Sequence, residues 1–192
     1  DNDYNVKVFL VKISDKLSED ADINFERLKD QNLVRIITIE KADKLPEITK
    51  GDVVIDGLFG SGLNRPLEGF PADVVKHLNK QDVIRLAVDV PSGLFGEDNS
   101  SNDYESIFQA HYTLTFQFPG MSFFFPENED FVGEWHVLDI GLNQEKIDKV
   151  DSPYYLIERE DIQRNLKSRK RFSHKGHFGH VASGFSMTIG FS

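Results

Sequence analysis

The 192 residues are 39 % hydrophobic and 11 % aromatic, with sixteen Phe, which suits one folded domain plus a fragment of another and excludes a disordered acidic chain. A formal net charge of −10 argues against a nucleic-acid duplex or an anionic membrane as main partner. The absence of cysteine removes disulfides, thiolate nucleophiles and Cys-based zinc sites. No apolar run approaches the ~20 residues of a membrane span. No signal peptide opens the chain, so a cytoplasmic protein is the default expectation.

In chain order, residues 5–13 read as a strand from their β-branched and aromatic content. Residues 14–18 are polar and can cap a helix from about Glu19, with Ala21, Phe25 and Leu28 on one face. Residues 33–39 form a second predicted strand, and Pro46 breaks the polar connection after it. Residues 52–56 make a third strand that stops on Asp56 and enters a glycine loop, and a helix over 71–78 comes next, apolar at Val74, Val75 and Leu78. Residues 83–90 make a fourth strand, broken by Pro91 just beyond Asp89. Strands alternating with short helices predict right-handed βαβ units and a parallel sheet.

Beyond Ser92 the texture changes. Residues 95–104 are polar and read as a surface loop, and 112–118 as another strand. Residues 122–125 and 135–140 are candidate further strands around the turn-rich 126–134. From 143 to 173 the chain is charged and weakly periodic, a linker with one short strand at 154–157 and a short helix near 161–166. Residues 171–192 are basic, then rich in Gly, Ser and Phe, and have no place in the core of the first domain.

The chemistry concentrates in two stretches, VVIDGLFGSGLNRP at 53–66 and LAVDVPSG at 86–93. Each is a buried strand that ends on a carboxylate and breaks into a loop, which is how an open α/β sheet builds a ligand crevice at the carboxyl ends of its strands. If the strands are parallel neighbours, Asp56 and Asp89 share one lip, and two close carboxylates need a cation or a shared proton. With Ser92 nearby the donors are all oxygen, which suits a hard cation. In the loop, Gly60, Ser61 and Gly62 can turn backbone amides toward an anion while Asn64 and Arg65 add side-chain donors. A simple connecting turn explains the same residues, and either Asp taken alone reads more readily as a turn former. Neither a P-loop nor a complete G-x-G-x-x-G occurs here, and neither Ser61 nor Ser92 lies in G-x-S-x-G. The clustered His174, His177 and His180 lack a nearby carboxylate and read as a basic loop.

These motifs, with YTLTFQFPGMSFFFPENEDFVGEWHVLDIGL further on, closely resemble the NAD(P)H-hydrate epimerase domain. This is the amino-terminal half of bifunctional NAD(P)HX repair enzymes, the YjeF N-terminal family. The resemblance implies a Rossmann-like three-layer αβα sandwich with a mostly parallel sheet. It also implies interconversion of the R and S hydrates of NADH and NADPH, and a bound potassium ion. It assigns Asp56 and Ser92 to potassium, and Gly60, Ser61, Gly62, Leu63, Asn64, Arg65 and Pro66 to the hydrated dinucleotide. Asp89 becomes a substrate-binding carboxylate and the expected proton carrier. The implied partner is that small molecule, with a homodimer among the options for assembly; a non-catalytic nucleotide-binding or protein-interaction module of the same fold is the alternative. By this reading, residues 1–142 are a partial epimerase domain, 143–170 a linker and 171–192 the start of an ADP-dependent dehydratase domain. The family's Asn-Asn-Gly-Gly-Asp-Gly motif is not found in these residues, and the chain begins at what looks like the family's second strand. The expectation is a fold without its first strand and helix, of low stability and weak activity.

Overall fold

A computed structural model describes residues 4–14, 16–41 and 43–165. The chain divides into two compact units, the first ending at Gln144. Residues 171–192, with the predicted dehydratase start and the three clustered histidines, lie outside the described residues.

The first unit is a mixed α/β fold built on parallel strands. β1 (Lys7–Val11) leads through α1 (Glu19–Gln31) to β2 (Arg35–Ile39). Ser18 caps α1 by accepting the Ala21 amide, and Asn32 ends it in the left-handed conformation, as helix ends commonly do. β3 (Val53–Asp56), α2 (Phe70–Asn79), β4 (Ile84–Val88), β5 (Tyr112–Phe116), α3 (Glu129–Val132) and β6 (Glu134–Leu138) complete it. β1 and β2 pair as one parallel sheet, and β3-β4-β5-β6 pair in that order as another. Among the described residues, β1 and β3 each keep one edge without a strand partner.

α2 holds the two sheets together. Its Phe70 and Val74 pack with Ile39, Phe9 and Val11, while Ala72 and Val75 pack with Ala87, Phe108 and Val54. A third cluster joins Val90, Leu94, Ile107, Phe123, Phe131 and Val132, with Trp135 against it. The register puts Val54, Ala87, Thr113 and Trp135 on one face of the larger sheet, and that face is covered. The opposite face carries Val53, Ile55, Ile84, Tyr112, Phe116 and Leu138, all exposed among the described residues. Burial on one face only is unusual for parallel strands, which read as apolar on both sides because both are normally covered.

Three sequence expectations need correction. Residues expected as a strand at 122–125 form a 3₁₀ helix, Met121–Phe124, directly after Pro119 and Gly120. The predicted strand at 154–157 is not formed, and Tyr154, Tyr155, Leu156 and Ile157 are exposed. The expected surface loop at 95–104 is partly core: Phe95 and Asn99 are buried. In the second unit, a helix at Arg159–Asn165 occupies the place of the predicted short helix. No helix among the described residues is long and apolar enough to cross a membrane.

Val75 is fully buried and Ile55 is 66 % exposed. Val75→Ala should therefore cost about 2 kcal/mol of unfolding free energy, and Ile55→Ala no more than about 0.5 kcal/mol. Urea titration of both variants checks the pair.

Candidate functional site

β3 and β4 are parallel neighbours, so Asp56 and the turn after Val88 do open on the same lip of the sheet. Asp56 closes β3 and is 2 % exposed. Its Oδ1 accepts the Ser92 hydroxyl at 2.7 Å and the Leu58 amide at 3.1 Å, and its Oδ2 accepts the Ser92 amide at 2.8 Å. Ser92 Oγ in turn accepts the Phe59 amide at 3.0 Å. The loops after β3 and β4 are thus tied by three bonds through one carboxylate and one hydroxyl, while the Leu58 amide braces Asp56 within its own loop. Burial pushes the Asp56 carboxyl above its ordinary range, against the lowering effect of the Ser92 and Leu58 donors.

Asp89 is half-buried and sits in a left-handed conformation, φ 68°. Its amide extends the ladder to the Leu114 carbonyl at 2.8 Å, and its Oδ2 accepts the Ser61 amide at 3.4 Å. A methyl group added at Gly60 would stand 3.3 Å from that oxygen, so the glycine lets the loop approach the carboxylate. The two carboxylates are not the tight pair expected from the sequence. Asp56 is in register with Ala87, two residues short of Asp89, which places Asp89 about 6–7 Å further along the strand direction. Each has its own donors. No cluster of three or more His, Asp or Glu side chains suited to a metal occurs among the described residues.

The rest of the glycine loop is less convergent than expected. Ser61, Gly62, Asn64 and Arg65 are exposed and Pro66 is half-buried. Leu63 packs its side chain against the Leu67, Ala72 and Val75 cluster, which gives it a part in the core.

The segment from Pro91 to Phe108 was underrated by its polar composition. Gly93 has φ 98°, and a Cβ there would lie 2.5 Å from the Ser106 carbonyl oxygen, so this close approach requires glycine. Asn99 donates to the Phe95 and Glu97 carbonyls and accepts the Phe95 amide. Asn102 donates to the Gly93 carbonyl. Asn79 of α2 donates to the Ile107 carbonyl and accepts the Gln109 amide. Asn and Gly in a polar stretch were the signal, since buried side-chain amides can replace missing backbone partners. At the far ends of the strands, a cavity of about 390 Å³ is lined by Arg85, His111, Glu129 and Asp130 among others. It touches none of the predicted site residues.

A carboxyl with a raised folded pKa binds more protons in the native state. Its contribution to stability is fully present below the unfolded value of about 3.9 and declines as pH rises through the folded value. The unfolding free energy of the wild type minus that of Asp56→Asn should thus fall as pH rises from about 3.9 toward neutral. Urea titrations across that range measure it; a difference that is flat or rises would mean that the Ser92 and Leu58 donors outweigh burial.

A model of the family described as YjeF-related protein N-terminus matches residues 1–121. A bifunctional NAD(P)H-hydrate repair enzyme of Thermofilum pendens is 33 % identical over 177 residues, covering 91 % of this chain and 33 % of its own length. An NAD(P)H-hydrate epimerase of Rhodopirellula baltica is 32 % identical over 137 residues, covering 71 % of this chain and 55 % of its own. A protein of the same name from Roseobacter litoralis is 35 % identical over 129 residues, covering 60 % and 56 %. The chain spans from a third to just over half the length of these relatives.

Proposed function

We propose a function from the premise that this chain belongs to the YjeF-related protein N-terminus family: it binds hydrated NADH or NADPH at the lip formed by β3 and β4 and interconverts the R and S epimers. The relatives named for this activity motivate the substrate. The observation that carries the reading is the joining of the two loops at one lip, with Asp56 bonded to Ser92 and Asp89 to the Ser61 amide.

Asp89 is the acid and base of the proposed reaction. In its acid form it donates a proton to the hydroxyl on C6 of the hydrated ring. The C–O bond breaks, water leaves, and the ring nitrogen's electron pair supports the cation that remains. Water then adds to the opposite face and returns a proton to the carboxylate, so the balance closes with no co-reactant. The Ser61 amide holds the carboxylate in place, and the exposed Asn64 and Arg65 are available to phosphate.

Potassium fits the donors in this structure. Asp56 Oδ2 and Ser92 Oγ each accept one hydrogen bond, and an oxygen with two lone pairs keeps one for a cation. Bound there, the ion would offset the buried negative charge and brace the two loops. The remaining ligands would come from backbone carbonyls, as suits a large hard cation. Adding potassium at pH 7 should raise the melting temperature of the wild type and leave Asp56→Asn unmoved; equal shifts in both would remove the cation from this place.

Asp89→Asn should lower R-to-S conversion by at least about a hundredfold and leave affinity for the hydrate within a few-fold. Chromatography of the two epimers reads the first and calorimetric titration the second. Retained conversion would make Asp89 a binding residue only. Tight binding with no conversion in the wild type would favour a nucleotide-binding module. Sedimentation of the same sample tests the homodimer.

A further inference from the structure

The turn that carries Asp89 has a twin. β4 runs out as Val88, Asp89, Val90, Pro91, and β5 as Phe116, Gln117, Phe118, Pro119, the same apolar–polar–apolar–proline order. The central polar residue has positive φ in each, 68° at Asp89 and 59° at Gln117. The next amide donates back across it, Val90 to the Val88 carbonyl at 3.0 Å and Phe118 to the Phe116 carbonyl at 2.6 Å. This is the rare, strained form of the γ-turn. The polar residue also extends the ladder in both, Asp89 to Leu114 and Gln117 to Leu138, each at 2.8 Å. β4 and β5 are neighbours, so the two turns open on one lip, and with Val88 in register with Leu114 the Gln117 turn stands two residues further along the strand direction than Asp89. Among the described residues only Asn32 shares this conformation outside glycine, and it is explained as a helix end.

The twins differ at the residue after the strained one. Val90 is 3 % exposed and belongs to the core, whereas Phe118 is 54 % exposed. The second turn is nonetheless well held. Gln117 Oε1 accepts the Ile140 amide at 3.2 Å, and the Thr115 hydroxyl donates to the Phe118 carbonyl at 3.1 Å. Glycine at 117 would relieve the strain, and a polar residue at 118 would remove an exposed ring from water. The Phe118 ring adds little to stability, the Gln117 side-chain bond is set against a strained backbone, and strain of this kind collects at ligand sites.

We propose that Phe118 is a further substrate-binding residue, a stacking surface for the nicotinamide-derived ring of the hydrated dinucleotide, and that Gln117 is the positioning residue that presents it. The inference rests on the function proposed above. The Phe118 turn lies one strand over from Asp89, about 4.8 Å, and about 6–7 Å further out along the strand direction, on the side where a ligand outside the carboxyl ends of the strands sits. The conjugated amide portion of that ring is flat, and stacking on an aromatic side chain needs only a flat π-face.

The test compares Phe118→Leu, Phe118→Tyr and Gln117→Gly with the wild type, using the full chain and hydrated NADPH. Phe118→Leu should raise KM about tenfold, change kcat by no more than about threefold, and leave the melting temperature unchanged because the ring is exposed. Phe118→Tyr should restore KM. Gln117→Gly should raise the melting temperature and still raise KM, a combination that a merely structural turn would not give. ADP-ribose, which lacks the nicotinamide ring, should inhibit wild type and Phe118→Leu equally. An active wild type with unchanged KM in Phe118→Leu overturns the proposal while sparing the function, and so does a matching loss of ADP-ribose inhibition. A wild type that neither converts nor binds the hydrate overturns both.

Discussion

One buried carboxylate fastens this molecule's lip. Asp56 is removed from water at the end of a four-residue strand, a position that would be costly if its oxygens were unpaired. Ser92 offsets part of that cost by bonding with both its hydroxyl and its amide, and the Leu58 amide adds a third donor. The same bonds fix where the β3 loop lies relative to the β4 loop. The interaction that offsets desolvation is therefore also the one that assembles the lip, and losing either partner would leave the other's polar atoms buried and unpaired. Burial still outweighs the donors at the carboxyl, whose proton is held above the usual range.

Rigidity spreads from that pair through side-chain amides and glycine more than through further apolar contact. Phe108 donates its amide to the Ser92 carbonyl, so the segment after Ser92 returns to the residue it left. Asn99 and Asn102 brace the excursion from inside, and Asn79 pins its exit to α2. Gly93 permits the crossing over Ser106 that makes the return short. Backbone polar groups in a loop of this kind would otherwise need water, and the three asparagines let the segment be buried. The asymmetry between sheet faces sharpens the point. The covered face, under α2 and this loop, is also the side on which Asp56 lies, while the apolar side chains of the other face remain open among the described residues.

Much of this was legible in the residues. Strands rich in β-branched side chains, the amphipathic α2 and the Ser18 cap all obey local rules that tertiary context did not overturn. The strand-end Asp motifs were readable because Asp before glycine or close to proline is costly to place inside a sheet. Three features escaped. Residues 122–125 look like a strand from their aromatic content, yet Pro119 and Gly120 before them and Pro126 after them favour a 3₁₀ turn. Residues 154–157 have strand propensity but form no ladder in the described structure, and propensity without a partner does not make a strand. The offset of Asp89 from Asp56 is a property of register, which no single strand reveals. The glycine-rich loop reads as one unit in the sequence, whereas its side chains divide between core and solvent, with Leu63 on the core side.

The repeated turn bears on how such a lip can be built at all. A parallel strand that simply continued would carry its next polar residue away from the loops of its neighbours. Folding back through a γ-turn keeps that residue level with the ladder, and Asp89 and Gln117 both still donate to the next strand. The strain is of the order of 1–3 kcal/mol at each turn, and the ladder bond that each turn preserves is worth about 1 kcal/mol. Hydrogen bonding alone does not cover the cost. The difference must come from packing beneath the turn, which Val90 supplies after β4 through the Leu94, Ile107 and Phe123 cluster. Phe118 supplies much less after β5, with over half of its surface in water. The β5 turn is thus the less compensated of the two, and an added contact above Phe118 would relieve it where none would be needed above Val90.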